Sequence, residues 1–170
     1  MKKNNKKGIL FWITGLSGAG KTTISKKIYK KINKEYGKTI IINGDDLRKI
    51  FELKGYDYKD RKKIGLQYSK LLKKITDQNV NIIFAGIVMV EEVRKWNRKN
   101  ISNYLEIYLK TNIKNIISKK FKKIYLKTNN LVGLKIKAEF PKKPDILIYN
   151  DFKETTASIA HRLIQLIRKK

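Results

Sequence analysis

The stretch Ile9-Leu10-Phe11-Trp12-Ile13-Thr14-Gly15-Leu16-Ser17-Gly18-Ala19-Gly20-Lys21-Thr22-Thr23 decides how this chain is read. Residues 9–14 are a continuous apolar run, the pattern of a strand buried on both faces of a parallel sheet. Gly15 to Thr22 match G-x-x-x-x-G-K-[ST]. Residues 21–35 then carry Ile24, Ile28 and Ile32 at a spacing of four, one face of a helix. A chance glycine-rich turn would lack that flanking strand and helix. In this order the three parts form a phosphate cradle. Its glycines let the backbone bend around an anion with the N–H groups inward, and the helix N-terminus adds partial positive charge. Gly15, Ser17, Gly18, Ala19, Gly20, Lys21, Thr22 and Thr23 are the expected ATP contacts. Lys21 is placed for the β- and γ-phosphates, and the Thr22 hydroxyl for Mg²⁺. Basic residues 1–7 ahead of an apolar stretch also have the outline of a signal peptide. The loop text displaces that reading, and the expected location is the cytoplasm.

Outward from the loop, strand-like and helix-like segments alternate. Residues 39–42 form a short β-branched strand after Gly37, a helix C-cap. Residues 60–77 read as a helix with Ile64, Tyr68, Leu71, Leu72 and Ile75 inward. A strand at 80–90, a charged helix at 91–100 and a strand at 104–109 follow. A helix at 113–123, a strand at 146–149 and a helix at 155–167 complete the series. This alternation calls for an α/β chain with a three-layer P-loop NTPase fold, a central parallel sheet flanked by helices through right-handed crossovers. One kinase domain is expected over 1–170. Residues 124–143 fit neither period, and 119–143 is read as a basic lid or substrate loop.

Composition limits the partners. The chain has 170 residues and a formal charge of +27. Such a balance first suggests nucleic acid. Yet 35 of the 41 cations are Lys and 6 are Arg, and Ile (26) and Asn (14) are inflated as well. That skew runs through core and surface alike, as background drift would give. Nucleic-acid readers favour Arg for bidentate contacts. A field that gathers small polyanions fits the charge equally well, so nucleic acid is not expected as the main partner. Without Cys, disulfides, Cys-ligated zinc and thiol nucleophiles are excluded, and a single His161 excludes a multi-histidine metal site. No apolar run reaches the roughly 18 residues a membrane span needs. Trp96 reads either as a half-exposed packing residue or as part of a subunit contact, and a homodimer is carried as one option.

The second chemical signal is Asn43-Gly44-Asp45-Asp46-Leu47-Arg48, after the strand at 39–42. The carboxyl ends of parallel strands are where such sheets place ligands. Asp45 there is suited to orient an attacking hydroxyl, accept its proton, or bind Mg²⁺ through water. The plain alternative is that Asp45 or Asp46 caps a helix beginning at Leu47.

GLSGAGKTT after FWIT, then NGDDLR, Gly55-Tyr56 and Asp60-Arg61 resemble the adenylylsulfate kinase family. That family phosphorylates the ribose 3′-hydroxyl of adenosine 5′-phosphosulfate. The resemblance implies Asp45 as the catalytic or metal-linked carboxylate and Arg48 and Arg61 as substrate-phosphate ligands. It implies Tyr56 in place of the base-stacking aromatic, Ile87 beside the substrate and Lys122 as the lid lysine. Departures cluster in the acceptor half. The family's N-I-R-R falls on Ile64-Gly65-Leu66-Gln67, and its I-S-P-Y-R on Ile87-Val88-Met89-Val90-Glu91. Cations are lost there and Glu91 is gained, which weakens the hold on a sulfate ester. The pattern resembles the branch of the family that phosphorylates cytidine diphosphoramidate for capsular phosphoramidate synthesis. Adenylylsulfate kinase activity is the alternative, and a nucleic-acid-binding NTPase the second.

Overall fold

The computed structural model describes residues 7–118, 136 and 138–170. Five strands, β1 (Leu10–Thr14), β2 (Thr39–Asn43), β3 (Asn81–Gly86), β4 (Tyr104–Lys110) and β5 (Ile146–Tyr149), form one parallel sheet in the order β2-β3-β1-β4-β5. The helices are α1 (Lys21–Tyr36), α2 (Gly44–Ile50), α3 (Tyr58–Thr76), α4 (Glu91–Asn100), α5 (Ile113–Ile116) and α6 (Thr156–Ile167).

Side-chain alternation sorts the central strands into two cores. Phe11 and Ile13 of β1 and Ile83 of β3 face α1 and α6, whose Ile24, Ile28, Ile32, Leu163 and Ile167 complete one apolar layer. Leu10, Trp12, Ile82 and Phe84 face the other way, onto Leu47, Ile64, Leu72 and Val93 of α2, α3 and α4. This is the three-layer P-loop architecture expected from the alternation. β1 is fully buried, as its unbroken apolar run requires. Every β1 residue pairs with both β3 and β4, so the loop after it emerges between two strand ends.

One strand is shorter than its sequence suggests. β3 stops at Gly86, not near residue 90. Its last partners are Thr14 on β1 and Asn43 on β2, which pairs with Ala85, and no ladder continues beyond them. Val88, Met89 and Val90 stay buried, but Val88 and Val90 pack among residues of α3 and α4. α4 is tied to the sheet by a buried ion pair, Arg94 Nε to Glu106 Oε1 at 3.2 Å, with Arg98 Nη2 2.8 Å from Glu106 Oε2. The lid expected at 119–143, with Lys122, lies for its greater part outside the described residues. Among them, no helix is long and apolar enough to cross a membrane.

Gly65 sets how closely α3 approaches its neighbours. A Cβ there would stand 2.8 Å from Val88 Cγ1 and 2.9 Å from Val93 Cγ2. Gly65→Ala is expected to destabilise the protein by about 1–2 kcal/mol, overpacking outweighing the gain in helix propensity. A lower denaturant midpoint with unchanged slope is the expected result; a raised midpoint would contradict this packing.

Candidate active site

The loop between β1 and α1 bends at glycines that need left-handed backbone, Gly18 (φ 74°) and Gly20 (φ 94°). Gly15 serves close approach: a Cβ on it would lie 2.5 Å from the Leu109 carbonyl oxygen of β4. The Leu16 carbonyl accepts from the Ala19 N–H at 3.2 Å and from Lys21 Nζ at 2.7 Å. Lys21 therefore folds back over its own loop and is only 8% exposed. Burial pulls its pKa down to about 8, and the charge of Asp45 acts in the opposite direction. A buried ammonium with one neutral acceptor is poised for an anion.

Lys21 opens on a cavity of about 220 Å³. Ser17, Gly18, Gly20, Thr22 and Thr23 line it from the loop. Asp45 lines it from α2, and Ala85, Gly86 and Ile87 from the end of β3. The ends of β1, β2 and β3 thus bring together residues more than twenty positions apart. Gly44 helps them meet, because a Cβ there would lie 3.4 Å from Gly86 Cα. Gly15 and Ala19, expected among the ATP contacts, do not line the cavity.

The helix after β2 begins at Gly44, with Asn43 as its N-cap, three residues earlier than Leu47. Asp45 and Asp46 are therefore both in the first turn, and neither caps the helix. Asp46 accepts a hydrogen bond from Asn43 Nδ2 at 2.8 Å. Asp45 is the one that faces the loop.

Arg48, Tyr56 and Arg61 form a second cluster. Arg48 Nη1 donates to the Leu53 and Gly55 carbonyls at 3.0 and 2.8 Å, and its guanidinium lies 4.4 Å from the Tyr56 ring centre. Arg61 Nε donates to the Tyr56 carbonyl at 2.7 Å, with its guanidinium 5.9 Å from the same ring. Burial, then the charge of Arg48, lower the Arg61 pKa. It stays cationic, as guanidinium groups in proteins do. Two cations held beside one exposed aromatic ring suit a nucleotide phosphate next to its base.

The departures from the family pattern have a structural counterpart. Ile64 and Val88 are both buried in the apolar core. Glu91 does not line the loop cavity. It pairs with Lys95 at 3.1 Å, and that bond holds its carboxyl below the usual range. Two placements escaped sequence reasoning. Glu139 sits on the first turn of α4, accepting from the Glu91 N–H at 2.6 Å and from Tyr58 Oη at 3.3 Å. Asn150, just after β5, donates through Nδ2 to the Ala19 carbonyl of the loop at 3.0 Å. Its place at the carboxyl end of a parallel strand was the available signal.

Fold and site together define a P-loop kinase, a phosphotransferase with an alcohol group as acceptor. Residues 7–149 match the adenylylsulphate kinase family model, and the chain belongs to that family. A cytidine diphosphoramidate kinase of Campylobacter jejuni is 35% identical over 153 residues, 87% of this chain and 88% of that protein. An adenylyl-sulfate kinase of Halothermothrix orenii is 26% identical over 172 residues, 98% and 92% of the two chains. The Mycobacterium tuberculosis APS kinase, solved with AMPPNP and APS, superposes with a TM-score of 0.84 at 22% identity, covering 95% of this chain and 98% of that one.

The buried ammonium gives a pH prediction. With a free-state pKa of about 8, Lys21 is half protonated at that pH. A triphosphate beside it raises that pKa, so binding takes up protons and affinity falls as pH rises through 8. Calorimetry of MgATP binding at pH 8 in two buffers of different ionisation enthalpy should give an uptake of about half a proton. No uptake would contradict the placement of Lys21.

Proposed function

We propose that this kinase transfers the γ-phosphoryl group of MgATP to the ribose 3′-hydroxyl of cytidine diphosphoramidate. The observation that carries the substrate choice is the contrast between the two halves of the site. The loop, Lys21, Thr22 and Asp45 are complete, while family polar positions in the acceptor half are filled by Ile64 and Val88 in the apolar core. The C. jejuni relative, whose identity exceeds that of the H. orenii adenylyl-sulfate kinase, supports the same choice.

ATP supplies the phosphoryl group, and Mg²⁺ the charge that offsets its β- and γ-oxygens. The residues fit both. The loop presents a buried cation and a glycine-lined cradle. Among the described residues, no cluster of three or more His, Asp or Glu would hold a metal alone. Thr22 and Asp45 would be the protein's share in holding Mg²⁺, which would offset charge on the phosphate oxygens. Asp45 orients the 3′-hydroxyl and takes its proton as the new O–P bond forms and the bond from Pγ to the β-phosphate oxygen breaks. Arg48 and Arg61 hold the acceptor's 5′-phosphates, and Tyr56 covers its base. Ile87 borders the acceptor.

ATP consumption with cytidine diphosphoramidate and adenylylsulfate side by side tests the reading. A higher kcat/KM on the former is expected, with a 3′-phosphomonoester as product. Turnover of adenylylsulfate alone would establish the other family activity instead. Arg61→Ala should raise the acceptor KM about tenfold or more, as loss of a charge-assisted contact does, and leave the ATP KM within about twofold.

A further inference from the structure

Asn150 is 3% exposed and makes three hydrogen bonds in three directions. Its Nδ2 donates to the Ala19 carbonyl at 3.0 Å. Its Oδ1 accepts from the Phe152 N–H at 3.1 Å, and its own N–H donates to the Lys110 carbonyl at 2.9 Å. These partners fix the amide orientation, since a flipped amide would set oxygen against oxygen and N–H against N–H. One residue thus joins the ends of β4 and β5 to the loop 131 residues earlier, through its backbone on the β4 side and its side chain on the loop side.

The peptide between Ala19 and Gly20 is planar and trans, so its C=O and N–H point in opposite directions. A carbonyl held toward Asn150 aims the Gly20 N–H away from it. Gly20 lines the loop cavity and Asn150 does not. The position leaves little slack, because a Cβ on Gly20 would lie 3.4 Å from Asn150 Nδ2. Gly20 sits at φ 94° as the N-cap of α1, its own carbonyl accepting from the Ile24 N–H at 3.0 Å.

We infer that Asn150 is a positioning residue for phosphoryl transfer: its grip on the Ala19 carbonyl turns the Gly20 N–H into the cavity, where it donates to the nucleotide's phosphates. Asn150 itself touches neither substrate. The inference rests on the loop being the ATP site, and adds to it the element that sets the loop's donor geometry.

The experiment compares wild type, Asn150→Ala and Asn150→Asp. MgATP affinity is measured by calorimetry, the two KM values by steady-state kinetics, and folding by melting temperature. Asn150→Ala should weaken MgATP about tenfold, the usual consequence of losing a buried bond, and leave the acceptor KM within about twofold. In Asn150→Asp an ionised carboxyl cannot donate and repels the carbonyl, so binding at pH 8 should be weaker than in Asn150→Ala. Protonation restores a donor, and the ratio of the two variants' dissociation constants should fall toward or below one at pH 5.5. A merely structural role would not produce that pH-dependent crossing, and the Asp variant carries the test if the Ala variant fails to fold. Wild-type binding with unchanged affinity in Asn150→Ala, equal rises in both KM values, or a pH-independent ratio would overturn the proposal alone. Failure of wild type to bind MgATP would instead remove the site reading beneath it.

Discussion

A lysine ammonium with only 8% of its surface exposed, bonded to the carbonyl of a residue five positions earlier, is the constraint on which the site depends. Burying a cation is costly, the charge of Asp45 offsets only part of that cost, and a bound anion would offset more. The surrounding structure keeps Lys21 in that state. β1 is flanked by β3 and β4, so its loop has no room to spread sideways. Glycines accept the left-handed turns, and Leu16 and Ala19 hold the loop closed on itself. The sheet brings Asp45 to the same cavity from the next strand. A negatively charged, tightly folded ligand is the natural complement, and a triphosphate supplies it.

Much of this was legible in the residues. The apolar run of β1, the glycine loop and the Ile24, Ile28, Ile32 stripe each follow from one periodic or steric rule, and each is where it was expected. α4 and β5 match their expected limits because abrupt changes in composition flank them. The end of β3 was not legible. Residues 87–90 are as apolar as the strand before them, and only the loss of ladder partners stops it. The start of α2 at Gly44 was hidden for a related reason, since Asn43 ends the strand and caps the helix at once. Asn150 and Glu139 act on residues 131 and 48 positions away, and no local pattern encodes such pairing.

The +27 charge takes on a narrower meaning. Several cations are spent on local pairs, such as Arg168 with Glu35 and Lys62 with Glu92. Arg94 and Arg98 are paired with Glu106. Among the described residues, Lys21 lines the loop cavity, and Arg48 and Arg61 lie beside Tyr56. That arrangement suits a small nucleotide with phosphates at one end.

Lys21 is held away from water at a cost to the free protein that a phosphate would relieve. The most direct measurement is the shift in melting temperature caused by MgATP, in wild type and in Lys21→Met. Without nucleotide the variant should be at least as stable as wild type, because a buried ammonium whose desolvation outweighs the charge of Asp45 has been replaced by an apolar chain of similar length. With saturating MgATP the wild type should melt several degrees higher and the variant should not move. A variant that keeps the full ATP-induced shift would contradict the account.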